Sequence, residues 1–133
     1  MSENNGDLIK SLYAAFSTGD VPTVLGAFDP HIEWKEAENG PLADKNPYIG
    51  LQAVLDGVFM RLMKDFEGFA VRPQNFIAGG DTVAVEGRYT GKGNATGIPL
   101  DAQFVHVWHL RDGKIVRFQQ YTDTAQWSKA YGS

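Results

Sequence analysis

The order of hydrophobic periods along this 133-residue chain predicts an α+β domain in which one curved antiparallel sheet wraps around N-terminal helices. Three observations carry that expectation. Apolar residues recur at helical spacing as far as about Phe66. After Gly68 the period changes to two, and short turn signals divide the second half into four long strands.

The first helix rests on Leu8, Leu12 and Phe16, with Ile9 and Tyr13 widening the stripe and Asn5 as its expected N-cap. Ser17-Thr18-Gly19 ends it, and Asp20 caps a second helix that has Pro22 in its first turn and Val21, Val24, Leu25 and Phe28 on its apolar side. Asp29-Pro30 breaks that helix, and His31 to Glu38 alternates as a short strand with Ile32 and Trp34 on one parity. The stretch from Glu38 to Gly50 holds two Pro, two Gly and two Asn, so it reads as a long loop of the kind that often carries function. A third helix is expected from Leu51 to Phe66. The strands follow at Ala70 to Ala78, Thr82 to Lys92, Leu100 to Leu110 and Lys114 to Tyr121, with hairpin turns at Gly79-Gly80-Asp81 and Arg111-Asp112-Gly113. An amphipathic segment, Thr124 to Tyr131, closes the chain.

The length fits a single domain over residues 1–133, and 43% hydrophobic content is ample for one core. Sixteen acidic against twelve basic side chains, with no basic stripe, argue against a nucleic-acid or anionic-membrane partner. The mixed-sign run Glu33, Lys35, Glu36 and Glu38 reads as a solvated edge. Zero cysteines exclude disulfide scaffolds, thiol nucleophiles and cysteine-ligated metals. The first residues carry neither the basic nor the apolar region of a secretory signal, which makes the cytoplasm the expected compartment. No dinucleotide fingerprint, phosphate loop or nucleophile elbow occurs. In the last two strands both parities hold apolar residues, so the outer sheet face needs a cover, and a second copy of the chain is the simplest one: a homodimer is expected.

Candidate chemistry lies in three groups. Asp123 ends the last strand beside Tyr121, where it could point into a cavity as a general base; it is also followed three residues later by Gln126, the pattern of a helix N-cap. His106 and His109 are three apart and point to opposite faces of a strand, so they are not a metal pair. His106, among Phe104, Val105, Val107 and Trp108, is either a proton shuttle or a buried structural imidazole. Tyr13, Trp34, Phe59 and Trp108, with Tyr121, would give any cavity aromatic walls. Arg88 shares a parity with Glu86 and is read as its ion-pair partner.

Leu12-Tyr13-Ala14-Ala15-Phe16 with Gly19-Asp20, Ile32-Glu33-Trp34, Pro47-Tyr48-Ile49-Gly50, Phe104-Val105-His106-Val107-Trp108 and Asp112-Gly113-Lys114-Ile115-Val116 ending in Tyr121-Thr122-Asp123 resemble the SnoaL-like polyketide cyclases of the nuclear transport factor 2-like superfamily, which also holds ketosteroid isomerase. The resemblance spans about Asp7 to Trp127. It implies a cone-shaped α+β barrel with a deep apolar pocket, commonly dimeric, and cofactor-free acid/base chemistry on small, often cyclic ketones. It places the base at Asp123 and an assisting histidine at His106. The chain departs from the isomerase pattern of an aspartate base with a tyrosine and a protonated aspartate as oxyanion hole, because Trp34 and Val105 stand where the two aspartates would be. It also lacks the Asp-Arg-Asp arrangement of limonene epoxide hydrolases, since Pro99 precedes Asp101 at the required spacing. Two functions follow as expectations: an isomerase or cyclase acting on a small hydrophobic carbonyl compound, or a dimeric cup that binds such a ligand without chemistry.

Overall fold

The computed structural model describes residues 2–132 and has the expected architecture: helices packed inside one curved sheet. Helix α1 (Ser2–Ser17) lies across the concave face and buries Ile9, Leu12 and Tyr13. It begins before Asn5, which is therefore not its cap. The Asn5 amide instead donates to Gly80 O at 3.3 Å and ties the helix to a sheet turn. Gly19 adopts φ 77° after the helix, and Asp20 caps α2 (Val21–Gly26) by accepting from Thr23 N at 3.3 Å.

Strand β1 (Phe28–Lys35) starts earlier than its alternation suggests and pairs with the two-residue β2 (Tyr48–Ile49). The loop between them contains a 3-10 turn (Pro41–Lys45) that buries Leu42. The third helix is not uniform: α3 (Leu51–Val54) passes through a π-helical turn (Leu55–Phe59) into α4 (Met60–Asp65). The wider turn brings the consecutive residues Val58 and Phe59 both into the core. Gly57 in that turn lies so close to the Tyr48 ring that a Cβ has no room.

Strands β3 (Phe66–Gly79), β4 (Thr82–Gly93), β5 (Pro99–Arg111) and β6 (Lys114–Thr122) form an antiparallel meander, and the sheet order is β2-β1-β6-β5-β4-β3. One pair, β1 with β6, is parallel, because the chain crosses over the whole meander before returning. The hairpin turns carry their positive φ at Gly80, Asp112 and Gly113. An irregularity near Leu110 and Ile115 shifts the parity of β6, so that Ile115 and Phe118 are both buried. Helix α5 (Thr124–Tyr131) closes one end of the sheet with Trp127 and Ala130. No helix among the described residues is long and apolar enough to cross a membrane.

Candidate functional site

The concave face and the helices line an apolar cavity, open at its mouth, with about 530 Å³ of empty space including that mouth. Leu12 and Phe16 from α1, Val58 and Phe59 from the π turn, and Leu62 from α4 form its helical wall. The sheet supplies Trp34, Trp108, Phe118 and the polar residues of the site. Trp34 stacks on Phe118 with 3.7 Å between ring centres, and Phe59 meets Trp34 edge-on at 5.6 Å. Among the described residues no lysine or arginine lines the cavity.

Alternation places the polar side chains. On β5 the inward parity is Phe104, His106 and Trp108, so His106 faces the cavity and is 5% exposed. His109 points outward, near Thr82 Oγ1 and Arg117. On β1 the inward parity is Ile32 and Trp34, and it runs one step beyond the strand to Glu36, which is buried. On β6 Phe118 and Gln120 point in, and Tyr121 points out, 57% exposed.

These groups form a hydrogen-bonded floor. Tyr13 Oη lies 2.6 Å from His106 Nδ1 and accepts from Trp108 Nε1 at 3.0 Å. Tyr89 Oη is bonded to His106 Nε2 and accepts from Gln120 Nε2 at 2.7 Å. Gln120 Oε1 takes the Ala37 N–H at 3.0 Å. Beside this chain, Glu36 Oε2 accepts from Trp34 Nε1 at 2.7 Å.

Burial sets the protonation states. Desolvation pushes the Glu36 carboxyl up to about 7, against the weaker downward pull of the Trp34 hydrogen bond and the Arg61 charge. Desolvation pushes His106 down to about 3, so its imidazole is neutral at ordinary pH rather than a shuttle poised near neutrality. Tyr13 and Tyr89 are both raised by burial above the usual phenol range and stay protonated. The floor is thus a neutral network next to one carboxyl that changes charge near pH 7.

Of the residues singled out in the sequence, Tyr13, Trp34, Phe59, His106 and Trp108 converge on the cavity. Asp123 and Tyr121 do not. Both line an open depression on the outer sheet face with Gln103 and Val105, because their parity is opposite to that of Phe118 and Gln120. Asp123 occupies the N-cap position of α5, yet its side chain makes no capping bond; only its carbonyl accepts, from Gln126 N at 3.2 Å. Arg88 pairs with Asp101 at 2.8 Å across β4 and β5, not with Glu86, whose carboxylate accepts from Asn75. The residue that the sequence reading passed over is Glu36. No cluster of three or more metal-ligating side chains exists among the described residues.

A cavity of this kind inside a cone of sheet and helix defines a class, and the comparisons with known proteins agree. The SnoaL-like domain model matches residues 9–118, and the chain belongs to that family. It is similar to an NTF2-like protein of Burkholderia thailandensis, with 32% identity, 94% of this chain and 95% of that one covered, and a TM-score of 0.89. TerC, crystallised with polyporic acid, is 26% identical over 96% of this chain and 97% of its own, with a TM-score of 0.82. The fold is shared with IdmH of Streptomyces antibioticus, a proposed polyketide cyclase, at 23% identity, 96% and 97% coverage and a TM-score of 0.76. No curated protein matches the chain.

Proposed function

We propose that the protein is a cofactor-independent acid/base catalyst of the isomerase or cyclase type, acting on a small hydrophobic, cyclic carbonyl compound, with Glu36 as its base. The observation that carries this reading is a buried carboxyl, unpaired with any cation in its cavity and titrating near neutrality, beside the hydroxyl-bearing floor of an otherwise apolar cavity. TerC's co-crystallisation with polyporic acid supports a small-molecule ligand for this fold.

In the reaction the Glu36 carboxylate takes a proton from the carbon α to the carbonyl, and the electron pair of that C–H bond passes into the enolate. The Tyr13 hydroxyl donates a hydrogen bond to the enolate oxygen, where charge develops between apolar walls. Where a C=C bond is conjugated with the enolate, return of the Glu36 proton to the far carbon completes an isomerisation; attack of the enolate carbon on a second carbonyl forms the C–C bond, and the Glu36 proton passes to the new alkoxide to complete a cyclisation. His106 holds Tyr13 and does not ionise.

A binding cup without chemistry is the competing reading, and the apolar wall of Leu12, Phe16, Val58, Phe59 and Leu62 favours it. Incorporation of deuterium from D2O into a panel of cyclic ketones separates the two. Catalysis by Glu36 requires exchange that falls by at least about 100-fold in Glu36→Gln and persists in Asp123→Asn. Ketone binding without exchange in the wild type establishes the cup instead. We also propose that the chain pairs with a second copy through the outer sheet face; support comes from Val105 and Val107, only partly buried there, and from the exposed Tyr121.

A further inference from the structure

The hydrogen-bonded floor has one proton too many for its own acceptors, and its arithmetic assigns His106 a role. The Trp108 indole N–H is a donor only, and it points at Tyr13 Oη at 3.0 Å. Gln120 is fixed in orientation, because its Oε1 faces the Ala37 N–H at 3.0 Å, so its Nε2 must donate to Tyr89 Oη at 2.7 Å. Each tyrosine oxygen therefore already accepts one bond from an obligate donor. Between them stands His106, bonded to Tyr13 through Nδ1 and to Tyr89 through Nε2.

A neutral imidazole has one N–H and one bare nitrogen. If the proton is on Nδ1, His106 donates to Tyr13 and accepts from Tyr89, and the Tyr13 hydroxyl proton has no acceptor left. If it is on Nε2, His106 donates to Tyr89 and accepts from Tyr13, and the spare proton belongs to Tyr89. The two arrangements make the same four hydrogen bonds. They differ only in which hydroxyl is left to point at a ligand, and among the described residues neither hydroxyl has a further protein acceptor. Both tyrosines line the cavity.

We propose that His106 is a positioning residue that acts as a tautomeric switch, assigning the cavity's single spare hydroxyl proton to Tyr13 or to Tyr89 according to where the ligand places its acceptor oxygen. The ligand this suits is uncharged and carries one carbonyl-type acceptor at the floor. A second oxygen meeting the other tyrosine must arrive as a hydroxyl donor, as in a hydroxy-ketone or an enolised diketone. Interconversion needs no net charge. As the Tyr13 proton leaves to a ligand or water, the Nδ1 proton moves to Tyr13 Oη and the Tyr89 proton moves to Nε2. Tyr89 Oη then takes a proton back from the cavity.

The inference refines the proposed site by naming its ligand chemistry, but its test uses no turnover, so failure of the acid/base reading leaves it standing or falling separately. Protein labelled with 15N-histidine is examined by long-range 1H–15N correlation at pH 7, which reports which ring nitrogen carries the proton. Trp108→Phe removes the donor to Tyr13 Oη, and the arrangement in which that oxygen still accepts a hydrogen bond has the proton on Nδ1. Gln120→Leu by the same count, at Tyr89 Oη, puts it on Nε2. The proposal expects these opposite tautomers; the same nitrogen protonated in both variants, or a doubly protonated ring, overturns it. If either variant does not fold, Trp108→Leu replaces the first and Gln120→Met the second. Each removes a donor from one tyrosine oxygen and draws the imidazole N–H toward that oxygen, so the expected tautomers and the overturning result are unchanged.

Discussion

Replacing Glu36 by Gln should change stability in a way that depends on pH. The variant keeps an oxygen for the Trp34 indole N–H and removes only the ionisation. Burial holds the carboxyl at about 7 against an ordinary 4.5. Between those two values the folded chain keeps a proton that the unfolded chain has lost, so the wild type loses stability as pH rises through the window and gains none of it back above 7. A difference of about 2.5 pH units corresponds to about 3 kcal/mol. Glu36→Gln lacks this loss, so its stability relative to wild type should climb by about 3 kcal/mol from pH 4 to pH 8, or by roughly 10 °C in midpoint for a chain of this size. His106 acts in the opposite sense. Its folded pKa lies below its unfolded one, so it costs stability as pH falls from 6.5 toward 3, but it is present in both proteins and cancels in the comparison. Urea unfolding of both proteins at several pH values, with equal m-values as the control for unchanged compactness, gives the quantity directly. An offset between the two proteins that is the same at every pH would refute the reasoning, because the Glu36 carboxyl would then titrate alike in the folded and unfolded states.

Other outcomes follow from the same geometry. Tyr13→Phe leaves the Trp108 N–H and His106 Nδ1 without their partner and should cost about 1–3 kcal/mol in chemical denaturation, with weaker binding of ketones in titration calorimetry. Gly57→Ala drives a methyl group into the Tyr48 ring and should destabilise by about 1–3 kcal/mol; an unchanged thermal midpoint would show that the π turn yields freely. Asp123→Ala removes a side chain that makes no capping bond and lies outside the cavity, so its midpoint should move by less than about 0.5 kcal/mol equivalent. Val105→Lys on the outer sheet face should convert a dimer to monomer in sedimentation velocity, and a wild type that sediments as a monomer would contradict the proposed pairing.

Most of the fold was legible because period and punctuation agree. Leu8, Leu12 and Phe16 mark α1, and the glycine and aspartate turns bound β4, β5 and β6 close to their observed ends. Two features were not. The π turn has no signature separable from an ordinary apolar helix face, and the parallel pairing of β1 with β6 is a long-range choice that no local pattern encodes. The site was half legible. Aromatic residues and His106 announced themselves by parity, whereas Glu36 was hidden inside a mixed-sign run that usually means a solvated edge. The signal that finds it is the continuation of Ile32 and Trp34 by another two residues, which keeps the carboxyl on the inward face although regular pairing has ended. Asp123 misled for the complementary reason. The irregularity after Ile115 resets the parity of β6, and counting inward from Phe118 and Gln120 leaves 121 and 123 outside.

The most direct measurement is the titration of the Glu36 carboxyl itself, followed by 13C NMR in protein labelled at the glutamate carboxyl carbon and assigned by its absence in Glu36→Gln. The account predicts a signal with its midpoint near pH 7 that disappears in the variant. If every glutamate signal has its midpoint below about pH 5, in the ordinary range of a solvated carboxyl, the cavity holds no base poised at neutrality and the central claim fails.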